Sequence, residues 1–251
     1  SGDALPSSSG LMLSAQRRHP VILILDESLQ QLPWEGLPVL RGQAVSRLPS
    51  LAFLAAPPAA AAAVNGSPKK DHAAGNKTQT ANAKDQELWR KRVQAKNSFY
   101  VLDPESNLAS TKKTLKPLFE SFESSHGWTG LISQAPTPDY LSAMLEAREL
   151  FVYCGHGSGE DFVPRERVAA HRASSAAILM GCSSGRLVGA GEFEPAGMAV
   201  GHLLGGAPAV VGNLWDVTDR DIDRFSEQLL TDLVSVKVVE EEGEEQEEEE
   251  G

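Results

Sequence analysis

One histidine and one cysteine stand in settings that suit reactive groups. His156 lies in Gly155-His156-Gly157-Ser158-Gly159, and Cys182 in Gly181-Cys182-Ser183-Ser184-Gly185. A thiol and a base to take its proton are the minimum for thiolate nucleophilic catalysis. A lone cysteine is more often a small buried hydrophobe, but a histidine in a glycine-rich loop shifts that balance. An imidazole that only filled a core would not need three glycines in five residues. Glycines there free the backbone and let a substrate chain come close. His156 is thus the candidate general base and imidazolium partner of the Cys182 thiolate. The N–H groups of Cys182 and Gly157 are candidate donors to an oxyanion.

Two other readings compete. Cys154 sits two residues before His156 with the same side-chain parity, so it is a rival nucleophile. It falls deeper in its strand and ranks below Cys182. Cys154, His156, Cys182 and His202 also suggest zinc, but none of the short spacings that zinc sites favour is present, and no metal or cofactor is expected.

A second cluster, Asp216, Asp219, Asp221 and Asp223, follows Trp215. Acids in a first helical turn offset the helix dipole. They also suit a pocket that pairs with a basic substrate side chain, best with arginine in a two-pronged contact. Asp219 and Asp223 lie one turn apart on one face. Both readings stay open on the residues alone.

The elements that position these groups alternate along the chain. Leu150-Phe-Val-Tyr-Cys154 and Ala176-Ala-Ile-Leu-Met180 are short apolar runs that stop at glycine-rich turns, as strands buried on both faces do. In open α/β sheets chemistry sits just beyond the carboxyl ends of such strands. Val21–Asp26 and Ser98–Asp103 read as further buried strands, Trp128–Ile132 as an edge strand and Ala209–Trp215 as another strand. Helices are predicted over Leu108–Ser125, with Leu115, Leu118, Phe119 and Phe122 on one face, and over Asp139–Arg148. A third is predicted to start at Glu194-Pro195. A fourth runs over Thr218–Val234, with apolar Ile222, Phe225, Leu229, Leu230 and Leu233 and a Thr218–Asp221 cap. Trp34, between two prolines, reads as a packing anchor. The alternation predicts an α/β fold with a mostly parallel sheet.

Composition bounds the rest. The chain has 251 residues and a net charge of −11. Nine of its acids are Glu residues between Glu240 and Glu250, so the body is close to neutral and the sum does not argue for nucleic-acid or membrane binding. Two cysteines fit a reducing compartment rather than a disulfide framework. No apolar stretch reaches the length of a membrane span. Residues 1–19 read as a flexible start and 240–251 as an acidic disordered tail. The alanine-, proline- and lysine-rich stretch 55–90 reads as a disordered insertion within a domain spanning 20–239. The region 65–97 is basic and more simply a solvated loop than a binding site. The start without Met reads as a piece of a longer protein.

Several motifs together resemble one family. They are Leu32-Pro-Trp-Glu35 with Val45-Ser-Arg-Leu-Pro-Ser50, Tyr100-Val-Leu-Asp-Pro104, Tyr153-Cys-Gly-His-Gly-Ser-Gly-Glu160, Leu179-Met-Gly-Cys-Ser-Ser-Gly-Arg-Leu187 and Ala207 through Asp223. The chain resembles the C-terminal, caspase-like protease domain of the separases. That resemblance implies a mostly parallel sheet with helices on both faces and a His156–Cys182 catalytic dyad. It implies cleavage after arginine in Glu-x-x-Arg sites, the arginine read by Asp223, with Asp219 and Asp216 behind it. The family substrate is the kleisin subunit of cohesin, cut at anaphase, alongside autocleavage. The implied partners are securin, an inhibitory chaperone, and the long helical N-terminal region of the same protein. The implied location is nucleus and cytoplasm. The insertion has no counterpart in the resemblance. Another caspase-like or CHAT-type protease, or an inactive scaffold, are the rival readings.

Overall fold

The computed structural model describes residues 19–55, 93–170, 175–190 and 193–235. Apart from their margins, the expected flexible start, low-complexity insertion and acidic tail lie outside the described residues. Two compact units divide between Leu51 and Ala52.

In the first unit, β1 (Val21–Ile24) pairs in parallel with β2 (Val45–Leu48). These strands form a two-stranded sheet of their own. Val21–Asp26 was expected to be buried, yet Ile22 is 46% and Ile24 38% exposed. An apolar run buries both faces only when both are covered, and a strand pair covers neither. Arg47 ties this unit together. Its guanidinium donates to both carboxylate oxygens of Glu35 at 2.6 Å and to the Leu32 carbonyl at 2.6 Å, and it also bonds the Gln30 carbonyl. Trp34 donates to the Leu29 carbonyl at 2.8 Å, which makes it the anchor its sequence setting suggested.

The second unit is built on a five-stranded sheet of β3 (Ser98–Leu102), β4 (Thr129–Ile132), β5 (Leu150–Cys154), β6 (Ala176–Leu179) and β9 (Val210–Gly212). Their order across the sheet is β4-β3-β5-β6-β9. Every pairing is parallel. Tyr100, Leu102, Val152, Cys154, Ile178 and Met180 face one core, and Phe99, Val101, Phe151, Tyr153, Ala177 and Leu179 face the other. That alternation is the pleat of strands covered on both sides.

Helices cover both faces. The first core is closed by Leu115, Phe119 and Phe122 of one helix, Ala109–His126, and by Ile222 and Leu230 of another, Asp219–Ser235. The second core is closed by Leu141 and Leu145 of Pro138–Ala147, Val168 of Arg165–Ala170 and Met198 of Met198–Gly205. The predicted apolar stripe of the last helix is only partly buried, since Phe225 is 52% exposed. The Thr218–Asp221 cap is present: the Thr218 hydroxyl donates to Asp221 Oδ2 at 2.7 Å.

The helix predicted to begin at Glu194-Pro195 starts later. Phe193–Ala196 is a strand, β8, paired antiparallel with β7 (Val188–Ala190) through an irregular register. Proline holds the residue before it extended, and a short irregular ribbon tolerates its missing donor. The helix then begins after Gly197. At Gly201 an added Cβ would come within 2.7 Å of Arg165 Cγ. The small residue thus admits the neighbouring helix.

Candidate active site

The connection from β3 to β4 runs over the first core, and that from β5 to β6 over the second. The loops leaving β3 and β5 therefore diverge and open a crevice at the carboxyl end of the sheet. Beyond β5 the chain turns through Gly155, His156 and Gly157, with Gly157 at φ +55°. The Tyr153 hydroxyl donates to the His156 carbonyl at 2.7 Å and holds this turn against its own strand.

Beyond β6 the chain reaches Cys182, with Ser183 at φ +53°. The two turns pack backbone on backbone. A Cβ added at Gly181 would run into the Gly157 carbonyl oxygen and lie 2.6 Å from that of Gly155. Only glycine permits that approach.

The loop after β9 braces the cysteine turn. Asn213 Nδ2 donates to the Gly181 carbonyl at 3.0 Å, and the Asn213 N–H to Ser184 Oγ at 3.1 Å. The Gly185 N–H donates to the Asn213 carbonyl at 2.8 Å, and the Ser183 N–H to that of Trp215 at 3.1 Å.

His156 and Cys182 line one small cavity. Its other walls are Leu108 and Thr111 from the start of the Ala109–His126 helix, and Asp219, Ile222 and Asp223 from the start of the Asp219–Ser235 helix. His156 is exposed and Cys182 half-buried. Both are open to a substrate chain. The Cys182 thiol donates to the Val217 carbonyl at 2.9 Å. Among the described residues, neither the Cys182 nor the Gly157 N–H donates a hydrogen bond. Two helix N-termini border the cavity and favour negative charge there.

The expected acids are placed differently from one another. Asp223 is 4% exposed, and its Oδ1 has no hydrogen-bond partner. Burial raises its carboxyl above the ordinary value and the charge of Asp219 adds to this, while a bond from Thr111 opposes it. Asp219 is exposed at the cavity wall. Asp216 does not line the cavity; it accepts from Ser183 Oγ at 2.6 Å and so supports the cysteine turn.

The rival nucleophile Cys154 is 1% exposed, and burial, with the nearby Asp223, pushes its thiol up. His202 packs in the second core, on Phe151, whereas Cys154 packs in the first. The conceivable zinc set is therefore split across the sheet. Among the described residues, no group of three or more His, Cys, Asp or Glu is placed to hold a metal ion.

The structure adds residues that sequence reading passed over. Asn107 Oδ1 lies 3.0 Å from His156 Nε2. Asp103, read only as a strand end, is fully buried at φ +51°, and its Oδ1 accepts from the N–H groups of Asn107 and Leu108 at 2.9 and 2.8 Å. The signal was present: Asp103-Pro104 ends a strand, and the residues just after a strand end are where such sites form.

A family model described as "Separin, protease domain" matches residues 4–222. The chain is similar to mouse separin, 39% identical over 216 residues that cover 86% of this chain and 9% of that protein. The Schizosaccharomyces pombe separin is 36% identical over 228 residues, 91% of this chain and 11% of that one. The crystal structure of the Saccharomyces cerevisiae separase–securin complex matches with a TM-score of 0.66 at 30% identity, covering 84% of this chain and 13% of that one. This chain thus spans about a tenth of the length of the curated relatives it matches. With most of its length matched, the chain belongs to the separin family through that family's protease domain.

Proposed function

We propose that the chain is the catalytic part of a separase-type cysteine endopeptidase that cuts after arginine. The observation that carries this reading is the cavity that His156 and Cys182 line together with Asp223, whose buried Oδ1 has no hydrogen-bond partner. His156 takes the thiol proton, and the Cys182 sulfur bonds to the arginine's own carbonyl carbon. The N–H groups of Gly157 and Cys182 hold the oxyanion. His156 returns the proton to the departing amine as the C–N bond breaks. Water, deprotonated by His156, then attacks the thioester and frees the sulfur.

Asp223 reads the arginine, with Asp219 at the rim and Asp216 behind the cysteine turn. A guanidinium supplies the donors that an unpaired buried carboxylate lacks. By family, the substrate is the kleisin subunit of cohesin, cut at Glu-x-x-Arg sites to release sister chromatids. Securin and the remaining N-terminal region are the partners, in nucleus and cytoplasm.

The test is labelling with an acyloxymethyl ketone bearing arginine, alongside a panel of peptides varied at the cleavage position. An adduct on Cys182 and a strong preference for arginine are expected. Indifference to arginine points instead to another caspase-like protease. A folded, securin-free sample that gives no adduct on Cys182 points to a scaffold.

A further inference from the structure

The loop after β3 carries a polar arrangement aimed at His156 that the reaction above does not use. Asn107 is held at three points. Its N–H donates to Asp103 Oδ1 at 2.9 Å, its Nδ2 to Glu105 Oε2 at 3.0 Å, and its Oδ1 faces His156 Nε2 at 3.0 Å. The contact with Glu105 settles which way the amide points, because a carboxylate accepts and the amide NH2 must therefore face it. An amide oxygen has no proton to give, so Oδ1 accepts and His156 Nε2 donates. With its proton on Nε2, neutral His156 keeps its lone pair on Nδ1.

The anchor of this loop is buried and bonded on several sides. Asp103 is fully buried, its N–H donates to the Cys154 carbonyl at 2.8 Å, and its Oδ2 pairs with Lys112 at 3.4 Å. Asp103 sits in a left-handed backbone conformation that non-glycine residues seldom adopt. Such strain persists only where the surroundings fix it, and it gathers at functional sites. The bond between Asn107 and His156 thus spans the crevice where the loops of β3 and β5 part.

We propose that Asn107 is a positioning residue that fixes the tautomer and plane of His156, so that Nδ1 is the nitrogen that exchanges a proton with the Cys182 sulfur. This rests on the protease reading. The amide does not touch the substrate; it acts through the imidazole. Both neutral and protonated His156 carry a proton on Nε2, so the bond survives the whole cycle.

The test uses Asn107→Ala and Asn107→Asp in the full chain, with two readouts. The first is cleavage of an arginine peptide across pH. Asn107→Ala should lower kcat about tenfold or more with KM within about twofold, since orientation and not binding is lost. Asn107→Asp keeps an acceptor for Nε2–H. It should restore kcat to within about threefold of the parent and move the acid limb of the pH profile upward, because a carboxylate favours imidazolium and neutral His156 is the base. The second readout is the rate of iodoacetamide alkylation at Cys182, which should fall in Asn107→Ala near neutral pH and recover in Asn107→Asp. Unchanged kcat and alkylation in Asn107→Ala overturn the proposal. Equal losses in both variants with an unmoved pH profile also overturn it, because they show a merely structural role. If the parent cuts no arginine peptide, the protease reading fails by itself, and the alkylation rates still decide the role of Asn107.

Discussion

The Cys182 thiol donates to the Val217 carbonyl across 2.9 Å. The sulfur beyond β6 is thereby joined to a residue two positions before the helix that carries Asp219 and Asp223. A carbonyl oxygen accepts from a neutral thiol and offers a thiolate nothing. In the proposed reaction this is a bond of the thiol, given up when the proton passes to His156.

The two cysteines should differ sharply in reactivity. Cys182 is half-buried at the cavity, whereas Cys154 is buried with its thiol pushed up by desolvation. Brief iodoacetamide treatment of the folded protein, read by peptide mapping, should modify Cys182 and spare Cys154. Cys182→Ala should remove about 10⁴-fold or more of kcat. Cys154→Ala should keep kcat/KM within about twofold and cost about 1 kcal/mol through the small cavity it leaves. Labelling at Cys154 in the folded state would contradict this assignment.

Gly181→Ala tests the contact between the two turns. Its Cβ would press on the carbonyl oxygens of Gly155 and Gly157, so the histidine and cysteine turns must separate. A displacement of about 1 Å in a reacting pair costs about a hundredfold in rate. The expected result is a loss of that order in kcat, with the melting temperature lowered by no more than a few degrees. Parental kcat would show that the turns do not set the geometry.

Asp223→Asn separates specificity from stability. Burial raises the Asp223 carboxyl above its ordinary value, so the folded state holds that proton more tightly than the unfolded chain. Its contribution to stability is present below the unfolded value and is lost as pH rises through the folded one. At neutral pH the wild-type domain therefore lacks that contribution. Asp223→Asn should melt about 2–4 °C higher there, with the gain fading in acid. The preference for arginine should fall about a hundredfold or more in kcat/KM. A lower melting temperature at neutral pH would refute the burial argument.

His202 sets an acid limit on stability. It is 2% exposed, its Nδ1 has no partner and burial lowers its pKa from 6.5 to about 4. The folded state then holds this proton less tightly than the unfolded chain. Stability is intact above 6.5 and declines as pH falls from there toward about 4. His202→Phe, which keeps a ring against Phe151, should flatten that decline in denaturant titrations across this range. An unchanged slope would place the acid sensitivity elsewhere.

The sheet was legible because strands covered on both faces read as continuous apolar runs; Leu150–Cys154 and Ala176–Leu179 are of this kind. The Ala109–His126 helix was legible through Leu115, Phe119 and Phe122. Apolarity alone misled at Val21–Ile24, where a run of the same character lies in a two-stranded sheet. Proline misled at Pro195, because its restricted backbone suits an extended segment as well as a first helical turn. The placing of His156 and Cys182 in one cavity followed from strand-end logic. Asn107 did not, because its bond to His156 joins the ends of β3 and β5, and sequence periodicity carries no trace of a contact between separate loops.

The four pairings of the central sheet are all parallel. No tight hairpin can close such a pair, so each waits for an intervening crossover to bring distant segments together. Loop-closure entropy must be overcome before any of those pairings is rewarded, and the nascent domain should therefore mature slowly. Until β5 and β6 pair, the turns that carry His156 and Cys182 cannot meet, so the shared cavity is among the last features the folding chain completes.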